Sequence, residues 1–159
     1  MSEVRVTEGP EHAIRLIAAA VIRNGDRVLV WYDRNPESGE VVAVPLAGGV
    51  EFGETGEQAI RRELVEEIGA EAASVSFMGV LEDIFDWGGK RRHEVFLVYD
   101  IELADRTFYE SEQLEVVEDD GATYLARWRS LSDFRDVARL VPDGLLDLVE
   151  QANRRETRL

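Results

Sequence analysis

Residues Gly48–Ala70 read GGVEFGETGEQAIRRELVEEIGA, and this stretch organises the whole chain. Thr55 with Gln58 three positions later is a capping-box pattern, and Gly69 stands where a left-handed C-terminal cap belongs. Between them Ile60, Leu64 and Ile68 recur every fourth residue, which predicts an amphipathic helix. With Ile60 as origin and about 100° per residue, Leu64 and Ile68 fall near roughly 40° and 80°. Glu67 then lies near about 340°, Glu63 near about 300° and Glu66 near about 240°. Glu63 and Glu67 hug the edge of the buried seam, whereas Glu66 points further toward solvent. Like charges at this spacing cost about 0.2–0.5 kcal/mol per pair. Arg62 offsets part of that through its i,i+4 relation to Glu66. A hard divalent cation would give three such carboxylates a purpose; a solvated acidic face is the other reading. Ahead of the helix, Gly48, Gly49 and Gly53 let backbone approach a ligand closely, and a helix N-terminus favours anions such as phosphate.

Working outward, Ala13–Ile22 reads as a strand, Asn24-Gly25 as a hairpin turn and Arg27–Trp31 as the returning strand. Tyr32–Glu40 is expected to be a loop, and Val41–Val44 a short strand stopped by Pro45. The glycine-rich Ala47–Gly53 is expected to be an irregular surface loop. Val75–Phe85 and Glu94–Leu103 read as long strands joined through Trp87-Gly88-Gly89-Lys90. Glu110–Gly121 reads as an acidic connection, Ala122–Trp128 as a strand, and Leu131–Leu140 and Asp143–Ala152 as helices separated by Pro142. Paired strands with a helix in the middle and helices at the end predict an α/β fold, a mixed β-sheet covered on both faces. The expected division is an N-terminal extension over 1–11, one domain over 12–152 and a tail over 153–159.

Composition narrows the function. The chain has 159 residues, and 33 Asp+Glu against 18 Lys+Arg give a net charge of −15. That sign opposes binding to a nucleic-acid backbone, so no nucleic-acid partner is expected. The absence of cysteine excludes a disulfide framework, a thiolate zinc site and a cysteine nucleophile. The early apolar run Leu16–Ile22 is far too short to span a bilayer and reads as a buried strand. No membrane association is expected, and the default location is the cytoplasm.

The Gly48–Ala70 stretch resembles the Nudix hydrolase box, G-x5-E-x7-R-E-U-x-E-E-x-G-U, with U an aliphatic residue. Gly48, Glu54, Arg62, Glu63, Leu64, Glu66, Glu67 and Gly69 match, and Ala70 stands in place of a larger aliphatic. The resemblance covers roughly residues 12–150, including the upstream hairpin and the later Trp128, Leu131, Phe134 and Pro142. Where many members carry Pro-Gly-Gly before the box, this chain has Leu46-Ala47-Gly48. The resemblance implies an α/β/α sandwich and a metal-dependent hydrolase of pyrophosphate bonds in a nucleoside diphosphate linked to another moiety, with Mg²⁺ or Mn²⁺. A cation is also required on charge grounds, because an anionic nucleotide substrate must enter a carboxylate-rich site on an acidic protein. Glu63 and Glu67 are implied as the first metal ligands, then Glu66, with the Ala47 carbonyl in the position the family uses. Gly48, Glu54 and Arg62 are implied supports of loop and helix.

The general base is a box glutamate such as Glu63, or one outside it: Glu94, or Glu112 or Glu115 in the acidic connection. Arg34 and the basic run Lys90-Arg91-Arg92 are candidate phosphate contacts, and Trp87, Trp31 and Tyr32 candidate stacking surfaces. No flanking motif selects a subgroup: Leu81–Gly88 has no proline, and Trp87 replaces a tyrosine. Nucleotide sugar, ADP-ribose and related diphosphates are the leading substrates, with a housecleaning (d)NTP pyrophosphatase or a non-catalytic nucleotide-binding module as alternatives. An acidic interaction surface is a third class. Family members often form homodimers, and no residue here decides the oligomeric state.

Overall fold

The computed structural model describes residues 12–157, so the expected extension over 1–11 and the last two tail positions lie outside the described residues. Strands β1 (Ile14–Asn24), β2 (Arg27–Arg34) and β3 (Val41–Gly49) precede helix α1 (Gly56–Ile68). Strands β4 (Ala72–Trp87) and β5 (Lys90–Leu103), the short helix α2 (Thr107–Glu110), and strands β6 (Gln113–Val117) and β7 (Thr123–Ser130) follow. The chain continues through α3 (Asp133–Asp136), β8 (Arg139–Leu140) and α4 (Leu145–Thr157). The strand order is β4-β5-β1-β3-β2-β7-β6, with β8 added to β3. β1 runs parallel to β5 and β8 parallel to β3, while the other pairs are antiparallel, so the sheet is mixed.

β1 explains the layering. Ala18, Ala20 and Ile22 pack on one side against Ala59, Ile60 and Leu64 of α1. Ile17, Ala19 and Val21 pack on the other side with Phe134, Leu145 and Val149. A strand covered on both faces needs an unbroken apolar run, and Ile17–Ile22 supplies it. Leu16 is a correction: it is 42% exposed, because the apolar cover stops one residue later. The α/β class and mixed sheet are as expected. Among the described residues no helix is long and apolar enough to cross a membrane.

Several local expectations fail for physical reasons. The first hairpin turns on Gly25-Asp26, one residue later than predicted: Asn24 still pairs with Arg27, and Gly25 alone carries a positive φ, of 63°. β2 runs on to Arg34 because Tyr32, Asp33 and Arg34 find partners in Ala43, Val42 and Val41. Pro45 does not stop β3. It lies opposite Val30 at the point where β3 leaves β2 for β1, which Leu46–Gly49 then joins through Ala20 to Ile17. A residue without an N–H is tolerated where the ladder changes partner. Ala47-Gly48-Gly49 is therefore pinned strand, and only residues 50–55 form the loop.

The acidic connection contains β6, in which Leu114 and Val116 are buried and Gln113, Glu115 and Val117 face outward. That period of two is a strand signal hidden inside a charge-rich run. The predicted helix over Leu131–Leu140 shrinks to the single turn of α3, because Arg139 and Leu140 pair with Val42 and Ala43 instead. Tertiary pairing overrides local helix preference there.

Candidate active site

Helix α1 forms as its sequence dictates. The Thr55 hydroxyl accepts from the Gln58 backbone N–H at 3.1 Å, and the Gln58 side chain accepts from the Thr55 N–H at 2.8 Å. Gly69 closes the helix in the left-handed conformation, with its N–H on the Leu64 and Val65 carbonyls. With Ile60 and Leu64 in the core, Glu63 is carried against Gly48 of β3, and Glu63 and Glu67 are only 8% and 6% exposed. Glu66 points outward, as the helical wheel places it.

Arg62 organises this end of the helix. Its guanidinium donates to both oxygens of Glu54, at 3.1 and 2.6 Å, to Glu63 Oε1 at 2.8 Å and to Glu66 Oε2 at 3.2 Å. It also donates to the Gly49 carbonyl at 3.0 Å, so one side chain ties the helix to the end of β3 and to the loop. This bidentate grip holds the Glu54 carboxyl below the usual carboxylate range.

Glu63 and Glu67 line a cavity of about 350 Å³ together with Ala47, Gly48, Arg92, Glu94 and Trp87. Burial pushes the Glu67 carboxyl up to about 10, and the adjacent charges of Glu63 and Glu118 add to the effect. Burial also raises Glu63, against the pull of Arg62. Glu67 Oε2 is buried without a hydrogen-bond partner. Two carboxylates pressed together, one with an orphaned oxygen, fit a hard cation far better than they fit each other. Among the described residues no three acidic or histidine side chains converge as a ready metal cage. Glu66 is occupied by Arg62 and does not line the cavity.

Glu94 is buried on β5, 7% exposed, and accepts from Arg15 at 3.3 Å. Burial raises its carboxyl, with Arg15 and Arg92 opposing. Arg34, Lys90 and Arg91 do not line the cavity: Arg34 donates to the Gly39 carbonyl at 2.9 Å and Arg91 to Asp86 at 2.9 Å. Nor do Glu112 and Glu115; the acids of that segment that reach the cavity are Glu118 and Asp119, beyond the end of β6. Trp31 lines the cavity beside Tyr124, ring centroids 4.3 Å apart, while Tyr32 carries Arg129 over its ring at 4.8 Å.

Sequence reasoning overlooked Arg15, Tyr124, Glu118 and Asp119 as cavity residues. Arg15 comes to Glu94 only through the parallel register of β1 and β5, which no local pattern reveals. The alternation Leu114, Val116 was the available signal for Glu118 and Asp119, since it fixes where β6 ends.

Comparison with known proteins bears on the family and the fold. The NUDIX domain family model matches residues 13–149. Among solved structures, a MutT NUDIX hydrolase from Burkholderia pseudomallei is 25% identical, with TM-score 0.61 over 88% of this chain and 98% of that one. The E. coli ORF135 protein is 22% identical, with TM-score 0.59 over 94% and 98% of the two chains. A NUDIX hydrolase from Nitrosomonas europaea is 19% identical, with TM-score 0.55 over 91% and 90%. No curated protein matches the sequence significantly. With the family model spanning most of the chain, and Glu63 and Glu67 of α1 set in a cavity, the chain belongs to the NUDIX family and is a pyrophosphohydrolase.

Proposed function

We propose that the enzyme hydrolyses a nucleoside diphosphate linked to another moiety, such as a nucleotide sugar or ADP-ribose, with Mg²⁺ or Mn²⁺. The observation that carries this reading is the buried pair Glu63 and Glu67, with its unpartnered oxygen, facing a cavity that also holds arginine and aromatic side chains. Glu63 and Glu67 would hold the cation, with Ala47 and Gly48 on the adjoining wall, and Glu66 would join once released from Arg62 or act through water. The bound cation would neutralise phosphate charge and lower the pKa of the attacking water.

The chain's own groups supply the rest. Arg62 and Glu54 keep Glu63 and the β3 end in register, a positioning role. Glu94 is buried, which raises its carboxyl above an ordinary glutamate and makes it a stronger base toward water. Trp31 and Tyr124 offer an aromatic wall for a base or ring, flanked by Glu118 and Asp119. Trp87 stands at the tip of the β4–β5 hairpin on the cavity rim.

The test is product analysis over a panel of (d)NTPs, ADP-ribose, nucleotide sugars and dinucleoside polyphosphates, with and without Mg²⁺, wild type beside Glu67→Gln. A mononucleotide plus a sugar phosphate, formed only with metal and lost in the variant, is the expected result. Pyrophosphate plus a mononucleotide would instead assign a (d)NTP pyrophosphatase. Nucleotide binding without turnover across the panel would assign a binding module.

A further inference from the structure

Three arginines line the cavity, and they differ in what they already hold. Arg139 donates to Glu40 at 2.7 Å and to Asp143 at 2.5 Å, one positive charge against two negative. Arg15 reaches one carboxylate, Glu94, and only at 3.3 Å. Arg92 makes no ion pair among the described residues, and its Nε is buried without a hydrogen-bond partner.

The strand register produces this arrangement. Parallel pairing sets Arg15 opposite Glu94, and Arg92 stands two residues before Glu94 on the same face of β5. Alternation therefore divides the basic run of the hairpin: Arg91 turns outward to Asp86, and Arg92 turns inward to the cavity. Arg15 and Arg92 bring two positive charges to this corner against two carboxylates, Glu94 and Asp83, which pairs with Glu94 across the β4–β5 ladder and lines the same cavity. These two guanidinium groups stand in a cavity whose other charged lining, Arg139 apart, is acidic, on a protein of net charge −15.

A buried guanidinium N–H without an acceptor is a cost that folded proteins rarely leave standing unless something else supplies one. A phosphate oxygen is the acceptor whose geometry matches the guanidinium fork, and Arg is the side chain that reads it bidentately. We propose that Arg92, with Arg15 beside it, forms an anion subsite that grips a phosphate group of the substrate through the protein itself, apart from the cation held by Glu63 and Glu67. This rests on the pyrophosphohydrolase reading above and adds the residues that position the substrate's charge.

Calorimetric titration of inorganic pyrophosphate in excess Mg²⁺ tests it, on wild type, Arg92→Gln, Arg92→Lys, Arg15→Gln and Arg127→Gln. Arg127 is on β7, bonded to Gln113 at 3.3 Å, and its variant makes the same change in net charge. Arg92→Gln should weaken pyrophosphate binding about tenfold or more, as loss of a charged hydrogen-bond donor does. Arg92→Lys should recover part of that, Arg15→Gln should weaken binding less, and Arg127→Gln should match wild type. Equal affinity in wild type and Arg92→Gln, or no pyrophosphate binding by wild type, overturns the subsite. Where Arg92→Gln does not fold, as judged by its melting curve, wild type against Arg92→Lys carries the comparison, and equality again overturns it. A parallel Mg²⁺ titration without anion, wild type beside Glu67→Gln, reports the metal site separately. Failure of the Arg92 effect with Mg²⁺ binding intact therefore removes this subsite and leaves the enzyme reading standing.

Discussion

Gly48 and Glu63 are packed so closely that a β-carbon at position 48 would lie 2.0 Å from Glu63 Cδ and 2.2 Å from its Oε1. Gly48, one residue before the end of β3, thus leaves the room in which the α1 carboxylate rests, and helix and strand are set by one contact.

Gly48→Ala should therefore displace Glu63 while leaving most of the core intact. A displacement of about 1 Å at a reacting centre can lower turnover about 10²-fold. Steady-state kinetics alongside a melting curve checks this: near-wild-type turnover in the alanine variant would show that Glu63 is not held there for chemistry.

Glu67 gives a pH signature in metal-free protein. Its folded carboxyl is raised to about 10, well above an ordinary glutamate. The stability it contributes is therefore complete at pH below about 4, the unfolded value, and is lost progressively as pH rises toward the folded value. In EDTA the wild-type melting temperature should fall between mildly acidic and alkaline pH, and Glu67→Gln should fall less. Mg²⁺ should restore wild type most at alkaline pH and leave Glu67→Gln unmoved. Parallel pH profiles for the two proteins would refute the assignment of the buried carboxyl.

Arg62 joins Glu54, Glu63, Glu66 and the Gly49 carbonyl through all three guanidinium nitrogens: Nε and Nη2 hold Glu54, Nη1 holds Glu63 and Glu66, and Nη2 also reaches Gly49. Lysine keeps the charge but cannot span that set. Arg62→Lys is expected to lower Mg²⁺ affinity or kcat/KM about 10–100-fold, the usual effect of losing a residue that orients metal ligands. Full activity in the lysine variant would reduce Arg62 to a surface charge.

Glu94 and Glu66 are separable by kinetics. If Glu94 is the base, Glu94→Gln should lower kcat by about 10²–10⁴ with Mg²⁺ affinity preserved. The acidic limb of the wild-type pH–rate profile should lie above the ordinary glutamate range, because burial raises this carboxyl. Glu66→Gln should act mainly on metal affinity. A Glu94→Gln enzyme with wild-type kcat would return the base to the box glutamates.

Some of this protein was legible in Gly48–Ala70 alone. A helix has a fixed turn angle, so the spacing of Ile60, Leu64 and Ile68 determined which side of α1 is buried and that Glu63 and Glu67 flank it while Glu66 does not. The cap residues Thr55 and Gly69 determined its ends, and the apolar run Leu16–Ile22 determined a buried strand, in which only Leu16 proved exposed. These are local periodicities, and local geometry suffices to read them. What only the tertiary structure decided is everything that depends on strand register. The change of partner at Pro45, the β6 strand inside an acidic run, the meeting of Arg15 with Glu94 and the inward turn of Arg92 all join residues far apart in sequence. A shift of one residue in any of those pairings would send the same side chains to the opposite face, and it is the packing of both sheet faces that selects the register.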